Sequence, residues 1–178
     1  MRSIDTFQTQ RLLAERLRAD HLGDFYRMHQ DPKVMATLTA HGGILSENET
    51  QQSLETNLEH WERYGFGLWV FRDKVDNQFV GRGGLRNLYI DGNQEVELAY
   101  ALRSEFWGKG LATEMGEAIL KLGFEKLCLR DIICFTLTTN YASQRVIQKL
   151  GFKYERNMIY AGLPHVFYRL DACAKEFT

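Results

Sequence analysis

The spacing of apolar residues along the chain switches between a helical and a strand period, and those switches mark its elements. Residues 12–17 read as a short strand. Leu22, Phe25 and Tyr26 then recur at helical spacing behind Asp20, a capping residue type, and the pattern stops around Asp31-Pro32. Ser46-Glu47-Asn48-Glu49 has the form of a capping box. The helix it opens sets Leu54, Leu58 and Trp61 on one face and closes at Tyr64-Gly65. Residues 67–72 and 78–83 read as strands joined by a turn at Asp76-Asn77, and residues 85–90 and 95–102 as strands joined through the hairpin dipeptide Asp91-Gly92.

The helical period returns at Leu111, with Met115, Ile119 and Leu122 on one face up to about Lys126. The β-branched run at 132–138 suits a buried strand. Asn140 can cap a further helix containing Val146, Ile147 and Leu150, with Gly151 at its end. Strand-like segments at 152–160 and 165–170 follow, joined by Gly162-Leu163-Pro164. This order predicts an α/β (α+β) fold, a mixed sheet flanked by helices. A right-handed crossover makes the 95–102 and 132–138 strands parallel neighbours. Ligands in such sheets favour the carboxyl ends of strands.

At one of those ends lies Phe106-Trp107-Gly108-Lys109-Gly110-Leu111-Ala112-Thr113-Glu114. Glycines at a strand-to-helix turn let backbone amides approach a ligand closely. The first turn of the helix adds free N–H groups and partial positive charge, so the segment suits an anion such as phosphate. The Gly-x-x-x-x-Gly-Lys-Ser/Thr pattern of nucleotide hydrolases and the Gly-x-Gly-x-x-Gly dinucleotide spacing are both absent.

The 178 residues suffice for one well-buried domain, expected to span 1–178 with a core at about 9–171. A net charge of -1 makes no electrostatic case for nucleic acid or an anionic membrane, and no run reaches the roughly 20 apolar residues of a membrane span. Residues 1–18 lack a signal-peptide core, and the odd cysteines Cys128, Cys134 and Cys173 argue against a disulfide framework. A cytoplasmic location is expected. The histidines His21, His29, His41, His60 and His165 lack ligand spacing, so no metal is expected.

Three local motifs, in this order of elements, resemble the GNAT acyltransferases, particularly the branch of ribosomal-protein N-terminal acetyltransferases (RimJ/RimL-like). They are Glu97-Leu98-Ala99-Tyr100 with the Trp107–Glu114 turn; Asn140-Tyr141-Ala142-Ser143 running to Lys149-Leu150-Gly151-Phe152; and Thr9-Gln10-Arg11-Leu12. The resemblance spans nearly the whole chain. It implies a mostly antiparallel twisted sheet whose central parallel pair splays to admit acetyl-CoA, and transfer of an acetyl group to a primary amine on a protein N-terminus or a small molecule. The turn would hold the pyrophosphate through Trp107, Gly108, Lys109, Gly110, Leu111, Ala112 and Thr113, with Ala101 and Leu102 on the strand before it. Asn140 would contact the pantetheine arm. Gly110 and Ala112 fit the family's Gln/Arg-x-x-Gly-x-Gly/Ala pattern, and Trp107 stands at its first position.

Amide formation from a thioester needs a deprotonated amine, correct placement and a stabilised oxyanion. Glu97 is the candidate base; a half-exposed glutamate paired with a basic neighbour is the structural alternative. Glu95, on the same strand face by alternation, is second. Ser143 is the candidate acid, or a first-turn serine behind the Asn140 cap. Many N-terminal acetyltransferases carry a tyrosine acid seven residues after this Asn, where this chain has Ile147; Tyr141 is a possible substitute. Backbone amides at 99–101 would hold the oxyanion if the strand bulges there. Arg103 and Lys109 are candidate phosphate contacts. Tyr64, Phe66, Trp61 and Trp69 form an aromatic cluster suited to the core or an acceptor groove, and residues 37–46 a lip beside the acceptor. No cysteine lies within the motifs, which favours direct transfer in a ternary complex. A non-catalytic acyl-CoA-binding module and a structural interaction protein are the rivals, and the chain is expected to be a monomer or homodimer.

Overall fold

A computed structural model of the chain describes residues 4–39 and 42–174. Its centre is an eight-stranded sheet in the order β1-β2-β3-β4-β5-β6-β8-β7. The strands are β1 (Thr6–Gln8), β2 (Leu12–Arg16), β3 (Leu68–Asp73), β4 (Phe79–Ile90), β5 (Asn93–Leu102), β6 (Asp131–Leu137), β7 (Lys153–Tyr160) and β8 (Leu163–Asp171). All neighbours pair antiparallel except β5 and β6, which are parallel. Five helices cover the faces: α1 (Leu22–His29), α2 (Pro32–Leu38), α3 (Glu47–Tyr64), α4 (Leu111–Glu125) and α5 (Tyr141–Lys149). Among the described residues no helix is long and apolar enough to cross a membrane.

The local signals explain most boundaries. Ser46 and Glu49 close the expected capping box on α3, and Gly65 ends it in the left-handed region at φ 74°. Asp91 and Gly92, both at positive φ, make the two-residue hairpin between β4 and β5. Four expectations need correction. Asp20 caps nothing; it lies inside a 3-10 turn (Ala19–His21) that runs straight into α1. Asp31-Pro32 does not merely end a helix but starts α2, with the Asp31 carboxylate accepting from the Lys33 amide at 2.9 Å and proline tolerated at the first position. The expected strands at 78–83 and 85–90 are one strand, Phe79–Ile90, because Gly83 and Gly84 stay in register with Tyr100 and Ala99. The last hairpin turns at Ala161-Gly162, and Leu163 and Pro164 already pair in β8.

Trp61 and Trp69 are core residues packed edge to face at 5.1 Å, each donating its indole N–H to a backbone carbonyl, Leu68 and Ile4 respectively. Neither lines the cleft at the β5–β6 splay; Trp69, with Phe66, only borders a separate small pocket of about 150 Å³. Two histidines, half-buried His60 and buried His29, are also embedded. His60 accepts the Asn87 amide at Nε2, and its Nδ1 lies 2.9 Å from the Phe66 carbonyl oxygen, so the ring is neutral with its proton on Nδ1. His29, almost fully buried, bonds Thr50 Oγ1 through Nδ1 at 3.0 Å; burial, with the Arg82 charge adding to it, pushes its pKa from 6.5 down to about 4. Below pH 6.5 the unfolded chain therefore binds a proton here that the folded chain refuses, so stability falls with falling pH. His29 should contribute a loss of about 3 kcal/mol between pH 6.5 and 4. Urea melts at pH 7 and 4.5 check this, with His29→Gln expected to flatten the profile.

Candidate active site

The cleft opens where β5 and β6 part. They share one register position, Glu97 opposite Ile133. Beyond it the Leu98 carbonyl accepts from the Cys134 thiol at 3.2 Å rather than continuing a backbone ladder. Because Leu98 turns its carbonyl towards β6, strand alternation turns the Tyr100 amide into the same gap. The register of β5 against β4 is unbroken, so the expected bulge at residues 99–101 is not there; the splay from β6 alone exposes that amide. The cavity has a volume of about 510 Å³ and runs from the glycine turn to the β7–β8 hairpin.

On one side stand Trp107, Gly108, Gly110, Leu111, Ala112 and Thr113 with Asn140, Ser143, Arg145 and Lys149 of α5. Gly108 and Gly110 have φ of 74° and 77°, a conformation that L residues with a Cβ resist. The N-terminal motif proves to brace this turn. Arg11 donates from its backbone amide and from Nε to the Glu114 carboxylate at 2.7 and 2.6 Å, and from Nη1 to the Lys109 carbonyl at 2.8 Å. The Thr9 hydroxyl donates to the same carboxylate. Burial raises the Glu114 pKa, but the Thr9 and Arg11 hydrogen bonds outweigh it and hold the group below its usual range. Trp107 fixes the approach by donating its indole N–H to the Leu102 carbonyl at 2.9 Å.

Lys109 and Arg103 do not reach the cleft. The Lys109 ammonium lies 5.1 Å from the centre of the Phe106 ring, and Arg103 pairs with Glu105 at 2.8 Å. Arg145 and Lys149, one turn apart on α5, line the cleft instead and form no ion pair among the described residues. Sequence reasoning gives neither a role: Arg145 is not among the named motif residues, and Lys149 stands in the second motif without a contact assigned to it. Ala101 and Leu102 line the cleft.

Asn140 caps α5, its Oδ1 accepting from the Ser143 amide at 3.1 Å, which leaves its Nδ2 for the cleft. Ser143 Oγ lies 2.8 Å from the Tyr100 hydroxyl. Burial holds that phenol far above its usual range, with the nearby Cys134 adding to the effect, so it is a neutral O–H donor. Tyr141 is 66% exposed and lines no part of the cleft, and Ile147 is buried in the core. The Tyr100–Ser143 pair is therefore the hydroxyl system at the splay, and Tyr100 is the residue sequence reasoning missed. Its signal was present: alternation puts it on the face opposite Glu97.

Glu97 lies across the strand, 5% exposed, with Oε2 accepting from Arg86 Nη2 at 2.7 Å. Its Oε1 accepts no hydrogen bond among the described residues and faces the cleft. Glu95 is ruled out as a base by its occupation: both its oxygens accept from Arg169, at 2.8 and 2.9 Å. Around Glu97 lie Arg82, Val34, Thr37 and Leu38, with Phe135, Tyr160 and His165 in tilted and edge-to-face contact at 4.8 to 5.7 Å beside the final hairpin. Thr37 and Thr39 belong to the expected lip, while His41 lies outside the described residues. Cys134 also lines the cleft, although no motif contains it. Burial pushes its thiol well up, which makes it a poor nucleophile. Among the described residues no cluster suited to a metal ion occurs.

The chain is similar to several known proteins. The FsC-acetyl coenzyme A-N(2)-transacetylase of Aspergillus fumigatus is 30% identical over 82% of this chain and 64% of its own length. The uncharacterized protein YkkB of Bacillus subtilis is 27% identical over 83% of this chain and 88% of its own. Among solved structures, an acetyltransferase from Agrobacterium tumefaciens superimposes with a TM-score of 0.79 at 21% identity, covering 96% of each chain. RimL, a ribosomal L7/L12 alpha-N-protein acetyltransferase solved in complex with coenzyme A, gives 0.78 at 18% identity over 96% of this chain and 99% of its own. Both share the fold. The acetyltransferase (GNAT) domain profile matches residues 11–153, and the chain therefore belongs to the GNAT acetyltransferase family.

Proposed function

We propose that the protein transfers an acetyl group from acetyl-CoA directly to a primary amine within a ternary complex. The observation that carries this reading is the geometry of the splay, where one cleft joins a braced glycine turn, a free backbone amide, a hydroxyl pair and a carboxylate. Residues 107–113 would cradle the pyrophosphate, Arg145 and Lys149 would offset its charge, and Asn140 Nδ2 would hold the pantetheine arm. The acetyl group then lies in the gap between β5 and β6, its carbonyl oxygen facing the Tyr100 amide, which stabilises the oxyanion as the amine attacks.

Glu97 Oε1 takes the proton that the amine loses, while Arg86 holds the carboxylate in place. The leaving thiolate is protonated by Ser143, whose hydroxyl is backed by Tyr100. The names of the relatives, one for acetyl coenzyme A and one solved with coenzyme A, support the donor.

Initial rates with varied acetyl-CoA and amine test the mechanism. Direct transfer predicts intersecting reciprocal plots and a Cys134→Ala variant that keeps at least about half the wild-type kcat. Parallel plots with loss of turnover in Cys134→Ala would instead assign an acetyl-cysteine intermediate.

A further inference from the structure

The charges of the acceptor half do not balance. Glu97 is the sole carboxylate among the described residues that line the cleft, and it is already paired with Arg86. Arg82, four residues before Arg86 on β4, has no hydrogen-bond or ion-pair partner among the described residues; its guanidinium only rests 5.7 Å from the centre of the Phe25 ring. The Nε atoms of both arginines are buried without an acceptor. Burial, then the like charge of Arg86, outweighs the attraction of the more distant Glu97 carboxylate and pushes the Arg82 pKa down to about 10, so the side chain is still a cation at neutral pH.

Every other neighbour leaves that charge unmatched. His29 of α1 is neutral, Val34 and Leu38 of α2 are apolar, and Thr37 is uncharged. Nor does the donor answer the need. Arg82 lies on the sheet face covered by α1 and α2, whereas the glycine turn, Arg145 and Lys149 belong to the side formed by α4 and α5. Arg82 as a whole is half-buried, but its Nε is shut off from water without an acceptor, and such a group is costly unless a ligand supplies the partner and the counter-charge. A guanidinium with a free edge matches a carboxylate in geometry and charge.

We infer that the acceptor is an amine that also bears a carboxylate, bound by Arg82 in the half of the cleft beneath α1 and α2 while Glu97 meets the amine. This rests on the acetyltransferase reading above and narrows its acceptor. An acidic residue near a peptide N-terminus and a free amino acid offer the same group, and matched acceptors separate them.

The test compares kcat/KM for amino-carboxylates of graded length, and for short peptides with Asp or Glu at the first three positions, each against its amide. At least one carboxylate form should exceed its amide by about 30-fold, as a charge-assisted hydrogen bond in an enclosed site allows. Arg82→Met should reduce that ratio to below about threefold with CoA affinity unchanged, and Arg82→Lys should restore part of it. If Arg82→Met does not fold, the wild-type ratios decide alone. CoA binding with no carboxylate preference anywhere in the panel, turnover or none, overturns the inference. Absence of CoA binding overturns the reading beneath it.

Discussion

Glu97→Gln should lower kcat/KM by about 10²- to 10³-fold, the scale of a lost general base. The amide keeps the shape of the side chain and can still accept from Arg86, but it takes up no proton. Its effect should appear in kcat, with CoA affinity unchanged, because Glu97 sits across β5 from the glycine turn. A second effect follows from the same ion pair. With the carboxylate gone, Arg82 and Arg86 stand as two cations without a counter-charge, and stability should fall by about 2 kcal/mol. Denaturant melts beside the rate measurements separate the two. A variant as fast as wild type above pH 8 would remove Glu97 from the chemistry.

Gly84→Ala should destabilise the fold by more than about 3 kcal/mol, roughly a 10 °C drop in Tm for a chain of this size. A β-carbon there would stand 2.0 Å from the Gly67 carbonyl oxygen and 2.7 Å from the Leu68 Cα. Both are backbone atoms, so no rotamer relieves the overlap and β3 must move away from β4. That movement would also shift Arg82 and Arg86, which flank Gly84 on the same face. Gly23→Ala in α1 is the control: nothing lies within 4 Å of its β-carbon, and a helical alanine should be neutral or stabilising by up to about 1 kcal/mol. Similar Tm values for the two variants would contradict this packing argument.

What the sequence disclosed depended on the range of each interaction. Ser46 with Glu49, Asp91 with Gly92, and Asn140 with Ser143 act over three residues or fewer, and each element boundary they signal is found in the structure. Pro32 misled because the same residue that ends a helix also suits the first position of the next. Gly83-Gly84 resembled a break because glycine is a weak strand former, whereas here it permits close contact with β3 and α4. The functional partners lie further apart. Tyr100 meets Ser143 across 43 positions, and Arg11 meets Glu114 across 103. Only the folded sheet brings them together. The orphaned Arg82 was equally hidden, since a missing partner is a property of three-dimensional surroundings.

The central claim is that the turn after β5, braced from the loop between β1 and β2, takes the pyrophosphate of CoA. Calorimetric titration of CoA into the wild type and into Glu114→Ala measures this directly. The account predicts one site per chain, with affinity about tenfold weaker, or about 1.4 kcal/mol, once Arg11 and Thr9 lose the carboxylate they share. A wild type that binds no CoA, or a Glu114→Ala variant of unchanged affinity, would contradict it.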